Sequence, residues 1–114
     1  MYMDKMSKDI PHERKIVESI RRELKTLEIW HVKIHGGAFQ SLGLPDIICI
    51  VGGRFVGMEV KRPVVGKLTE IQRAVLGKIN AAGGYGCVVR SVEEAKIAIR
   101  NANEGYEAEW KAWR

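Results

Sequence analysis

The sequence predicts an α/β fold, one domain in the order α-β-β-β-α-β-α with a mixed central sheet covered by helices on both faces. Three observations predict it. Segments with apolar residues at three- and four-residue steps alternate with short apolar runs of strand length. Two of those runs flank Gly52-Gly53, a pair able to take the positive φ values of a tight hairpin turn. A helix-length stretch then separates the hairpin from the last run, and a crossover of that length joins parallel strands with a right-handed hand. At 114 residues the chain has room for one core and not for two, so 1–114 reads as a single domain with its core over about 11–102 and a tail from 103 to 114.

Composition narrows the class. A hydrophobic fraction of 46% with 29% charged residues describes an ordinary globular protein. The net charge of +5 favours association with a polyanion, nucleic acid first among them. No apolar run approaches the roughly 18–20 residues that span a bilayer, and Met1 to Pro11 is too polar for a secretory signal, so the expectation is a cytoplasmic protein without a membrane partner. Cys49 and Cys87 each sit in an apolar run without the neighbouring Cys or His of a zinc site, and read as reduced, small hydrophobic residues.

Met1 to Asp9 shows no clear period and reads as a flexible lead, with Pro11 in the first turn of a helix and Asp9 its N-cap. Ile16, Val17, Ile20, Leu24 and Leu27 mark the buried face of that helix, from Glu13 to about Leu27. Glu13 falls in the buried sector, whereas Glu18 falls opposite, among Arg14, Arg21 and Lys25. An acid on the core side is expensive unless a cation meets it. Glu13 is therefore a candidate for a metal site on the sheet below, the alternative being an exposed first-turn glutamate favoured by the helix dipole.

Trp30, Val32 and Ile34 alternate with His31, Lys33 and His35, which predicts a strand with one buried apolar face. The two histidines read as solvent-facing, with metal or phosphate binding as the alternative. Gly36-Gly37 ends the strand, and a loop carrying Phe39, Gln40 and Ser41 leads through Pro45 to Asp46. The hairpin that follows is apolar on both faces: Ile48, Ile50 and Phe55 on the side of Asp46, and Ile47, Cys49, Val51, Val56, Met58 and Val60 on the other. After it, Arg62 and Lys67 flank Pro63 and Gly66, either a clamp for a phosphate backbone or a solvated loop. Leu68 to Ala82 forms the second helix, opened by the capping box Thr69-x-x-Gln72 and closed by Gly83-Gly84. Tyr85 to Arg90 is the fourth strand, and a second box, Ser91-x-x-Glu94, opens a helix through Ala95, Ile97, Ala98 and Ile99. Trp110 and Trp113 share one side of the tail, where they would pack on the domain, join two subunits or stack on nucleic acid.

The hairpin concentrates the chemistry. With Gly52 and Gly53 central to the turn, Val51 faces Arg54, and the ladder sets Asp46 opposite Glu59. Directly opposed residues have Cβ atoms roughly 4.5–5.5 Å apart, so these two acids repel unless a cation sits between them. Lys61 projects on the same face as Glu59. Two or three carboxylates with the Val60 carbonyl offer only oxygen ligands, which suits Mg²⁺ or Mn²⁺. Lys61 is no ligand; its ammonium would orient an attacking water and stabilise charge on a phosphate.

The texts Gly43-Leu44-Pro45-Asp46, Gly52-Gly53-Arg54 and Met58-Glu59-Val60-Lys61, with Gln72 opening a helix downstream, resemble the virus-type replication-repair nuclease (VRR-NUC) family of the PD-(D/E)xK nuclease superfamily. The resemblance runs from Glu13 to Ile97. It implies a restriction-endonuclease-like core and a metal-dependent, structure-specific DNA endonuclease that leaves a 5′-phosphate and a 3′-hydroxyl. Asp46, Glu59, Lys61, Glu13 and Gln72 become the candidate catalytic set, with Asp46, Glu59, Glu13 and the Val60 carbonyl as metal ligands. Ser41, Arg62 and Lys67 are the candidate nucleic-acid contacts. Small stand-alone members act as homodimers on four-way Holliday junctions, which implies DNA and a second copy as partners. A catalytically idle nucleic-acid-binding module is the alternative; this chain keeps both acids and the lysine.

Overall fold

Gly52 and Gly53 turn with φ of +56° and +80°, and the hairpin they close sets the register of the sheet. The computed structural model describes residues 10–108. Its elements are α1 (Glu13–Thr26), β1 (His31–Lys33), the single turn α2 (Ala38–Ser41), β2 (Ile47–Val51), β3 (Arg54–Val60), α3 (Glu70–Ala81), β4 (Tyr85–Val89) and α4 (Val92–Asn103). The strands lie in the order β1-β2-β3-β4, antiparallel except for β4, which runs parallel to β3 after the α3 crossover. This is the mixed sheet and element order read from the sequence, with α2 added in the loop before Asp46. No helix among the described residues is long and apolar enough to cross a membrane.

One face of the sheet carries the main core. Ile47, Cys49, Val51, Val56, Met58, Val60, Tyr85, Cys87 and Val89 meet Ile16, Val17, Ile20 and Leu24 of α1 and the small residues Ala95, Ala98 and Ala102 of α4. The alanine face of α4 lets that helix lie close to the strands. The opposite face is covered only in part. Helix α3 lies across β3 and β4, with Leu76 buried, while Trp30, Val32, Ile50 and Phe55 stay exposed.

That half-covered face corrects the expectation for β1. His31 pairs with Cys49 and Val32 with Ile48, so the register turns His31 and Lys33 toward the main core and the apolar residues outward. Period-two alternation identifies two faces but not which of them finds a cover; α3 does not reach past β3. Two helix starts also differ. Pro11 precedes the N-cap, which is His12, and α1 begins at Glu13; the proposed cap Asp9 lies outside the described residues, as do Trp110 and Trp113. Ser91 caps α4 by accepting from the Glu94 amide, but the Glu94 carboxylate reaches one residue further back, to the amide of Arg90 at 2.9 Å.

Two side chains lock the layers. Arg54 donates to the carbonyls of Gly83, Gly84, Ala102 and Tyr106 and lies over the Tyr85 ring, tying the ends of α3 and α4 to the turn. Asn80 of α3 donates to the Gly86 carbonyl at 2.9 Å and accepts from the Gly86 amide at 3.0 Å, on the edge of β4 that does not face β3.

Candidate functional site

The segment before β2, the end of β3 and the start of α3 meet at the end of the sheet away from the Gly-Gly turn. A Cβ on Gly57 would stand 2.8 Å from Pro45 and 3.1 Å from Ile79. Its absence lets the Pro45 turn and α3 settle onto β3, and so brings Asp46 and Gln72 to Glu59. The ladder runs Ile47 to Met58 as its last pair. Asp46, one residue beyond, accepts from the Val60 amide at 2.7 Å. Extending that register by one residue sets Asp46 beside Glu59, and the two carboxyls lie close enough to interact.

Glu59 is 2% exposed and Lys61 8%. Glu59 Oε1 accepts from Gln72 Nε2 at 3.0 Å and lies 3.8 Å from the Lys61 ammonium. Glu59 Oε2 is buried and, among the described residues, has no hydrogen-bond partner. A buried carboxylate oxygen left this way is costly, since burial removes its water without replacing it. The cost appears as a retained proton: burial first, then the charge and hydrogen bonding of Asp46, push the Glu59 carboxyl up to about 9. Lys61 opposes that shift and does not cancel it.

Gln72 holds two positions at once. Its Oε1 accepts from the Thr69 amide and its own amide donates to Thr69 Oγ1, completing the capping box. Its Nε2 remains for Glu59. One end of the Gln72 side-chain amide thus serves the helix cap and the other holds Glu59.

The remaining sequence-read residues divide. Glu13 is exposed at the first turn of α1 and not in a buried sector, because the helix starts at this residue and its first turn overhangs the sheet. Its carboxyl is raised by partial desolvation, lowered by Lys61, raised by Asp46 and lowered by Arg62, so it shares the field of the pair. It is not gathered in with them: among the described residues, no three His, Cys, Asp or Glu side chains form a group that could hold a metal ion. Arg62 donates to the carbonyls of Ile10 and Pro11. Ser41 donates to Ala38 within α2, and Lys67 is exposed.

Arg90 was not singled out by sequence. Its Nη1 donates to the carbonyls of Arg62 at 2.6 Å and Gly66 at 2.9 Å, fixing the loop after Lys61. The parallel register offered the signal, for Val60 pairs with Val89 and the next residues are Lys61 and Arg90.

The donor set fits a hard divalent cation. Asp46 keeps one oxygen clear of the Val60 amide bond, and Glu59 Oε2 receives no hydrogen bond among the described residues. The Val60 carbonyl points to the same side of β3 as its amide, toward Asp46. All are oxygens, and a dication between the carboxylates would remove the reason for the proton. Comparison with known proteins finds no family model, no curated protein and no solved structure that matches the chain.

Proposed function

We propose that this protein is a metal-dependent, structure-specific DNA endonuclease with a restriction-endonuclease-like core of the VRR-NUC type. One observation carries the reading: Glu59 is buried with Oε2 receiving no hydrogen bond among the described residues, its carboxyl interacts with that of Asp46, and Lys61 lies 3.8 Å from its other oxygen. Without a cation the pair stays together only because Glu59 keeps its proton and shares it with Asp46, a state that a dication between the carboxylates would replace.

Asp46, Glu59 and the Val60 carbonyl would hold Mg²⁺ or Mn²⁺, with Glu13 contributing at longer range. When bound, the cation supplies a water of lowered pKa and charge neutralisation at the phosphoryl oxygens. Gln72 fixes Glu59 by its Oε1, which leaves Oε2 directed to the ligand. Lys61, held against Glu59, donates to the attacking water or to a phosphate oxygen. Lys67, on the loop after Lys61, and Ser41, at the end of α2, would contact a phosphate backbone, and Arg62 braces the loop after Lys61 against Ile10 and Pro11. An intracellular DNA substrate accords with the cytoplasmic expectation.

A second copy is the proposed partner. Resolving a four-way junction takes two cuts, and a twofold dimer sets two equivalent sites in fixed relation. Trp30, Val32, Ile50 and Phe55, exposed across one sheet face, supply the apolar strip such a dimer would bury. The alternative, an idle nucleic-acid-binding module, draws on the separation of Glu13 from the acid pair. Plasmid nicking by the full chain in Mg²⁺ or Mn²⁺, with and without EDTA, separates the two. Cation-dependent cleavage is expected, and binding without cleavage in either metal overturns the enzyme. Light scattering then checks the dimer, and a panel of duplex, flap, fork and junction DNA checks the substrate.

A further inference from the structure

The chain leaves β3 through Lys61 and immediately makes a turn that does not suit its own residues. The Val65 amide donates to the Pro63 carbonyl at 2.7 Å, closing a three-residue turn, and Val64 at its centre has φ +67°. This is the strained form of the γ-turn, and a β-branched residue at positive φ is a genuine outlier. Val64 is also 77% exposed and Val65 40%. Neither burial nor backbone preference accounts for valine at this tip.

The turn is nevertheless held firmly. Its base closes through the Gly66 amide on the Arg62 carbonyl at 3.0 Å. Arg90 Nη1 clamps the carbonyls at both ends, and the Arg62 guanidinium anchors the base to Ile10 and Pro11. Strain that the surroundings enforce marks a position kept for something other than stability. The surroundings also indicate the partner. Lys67 is exposed on the far side of the turn, and the segment gripped by Arg62 continues into exposed Arg14 and Lys15. Exposed Glu13 and Glu70 lie on the same segments, so the border is mixed with bases in excess; an apolar tip there, three residues from Lys61, fits a polyanion that has apolar faces of its own.

We propose that Val64 is a rigid apolar wedge that packs against the base or sugar edge of the nucleic acid next to the scissile phosphate. This inference rests on the nuclease reading. Branched DNA offers the wedge a step that is already partly unstacked, so insertion there displaces less stacking than in continuous duplex. The turn would thereby add preference for branched substrates to a site whose acids cannot read DNA shape.

The test uses the full chain with Val64→Asn, which tolerates positive φ and is polar, and Val64→Ile, which keeps the apolar tip. Fluorescence anisotropy with labelled four-way junction and linear duplex is read in Ca²⁺, single-turnover cleavage in Mg²⁺, and thermal melting without DNA. Val64→Asn is expected to melt at or above the parental temperature while losing roughly tenfold in junction affinity, about what burying an isopropyl group is worth. Its loss on linear duplex is expected to be smaller. Val64→Ile is expected to stay within about twofold of the parent. Val64→Asn binding and cutting junctions like a parent that cleaves would overturn the wedge and leave the nuclease standing. A parent that neither binds nor cleaves DNA removes the nuclease reading and the wedge together. A change in particle mass with unaltered DNA binding would assign the tip to a protein contact, against the proposal.

Discussion

The two ends of strand β3 handle charge in opposite ways. At the Gly-Gly turn, Arg54 gives its guanidinium to four backbone carbonyls from two helix ends and stacks on Tyr85. At the other end, Glu59 is buried with one oxygen held by Gln72 and the other held by nothing among the described residues. Both are charged side chains of one strand, linked to α3 and its flanks. Where polar groups are fully matched, removal harms the fold. Where one is left unmatched inside the protein, removal relieves the fold and harms whatever the group awaits. The contrast separates a joint from a site without reference to any relative.

The contrast is sharpest in the acids. Asp46→Ala or Glu59→Ala is expected to lower plasmid cleavage by more than about a hundredfold, because the cation's share of transition-state stabilisation is several kcal/mol. Metal-free melting should hold or rise in Glu59→Ala and fall in Asp46→Ala, where the Val60 amide loses its acceptor. Activity within tenfold of the parent in saturating Mg²⁺ would end the assignment. Lys61→Ala is expected to lower the single-turnover rate by about a hundredfold, the scale of one lost electrostatic donor. Calorimetry with Mn²⁺ should show affinity near the parental value, and a large loss of affinity would place Lys61 in the ligand set.

Arg54→Ala probes the joint and is expected to destabilise by about 3 kcal/mol in urea, since several carbonyls lose a charged donor together. Cleavage per folded molecule should be unchanged; a loss there would mean that the two ends are coupled. A further prediction concerns pH. The folded-state value of Glu59, about 9, lies above its ordinary 4.5. The folded protein therefore holds the extra proton, and stability in EDTA is fullest below that lower value, declines as pH rises toward the upper one, and levels beyond it. Melting between pH 5 and 9 should show this slope, and Glu59→Gln should flatten it.

The hairpin register was legible because two adjacent glycines leave little choice of turn, and once the turn is fixed every cross-strand pair follows, Asp46 with Glu59 included. Lys61 followed from period two. Gln72 was legible only as two competing roles, because sequence does not reveal that opposite ends of one amide serve a helix cap and a carboxylate. Glu13 was misplaced because a helical wheel assigns a face but does not mark where the sheet beneath the first turn ends. β1 was inverted for a related reason: alternation was correct, but its cover depended on how far α3 extends. Val64 gave no signal at all, since Pro-Val-Val-Gly contains nothing that demands positive φ at its second residue.

Asn80 bears on how copies of this chain can meet. An open sheet edge invites another chain to add itself as a strand, and continued addition is a route to fibres. By bonding both polar groups of Gly86 that face away from β3, the Asn80 amide imitates one rung of a neighbour near the start of the β4 edge. The other edge, β1, offers only three residues. Growth of the sheet from molecule to molecule is therefore disfavoured on both sides, and open-ended stacking through strand edges is discouraged.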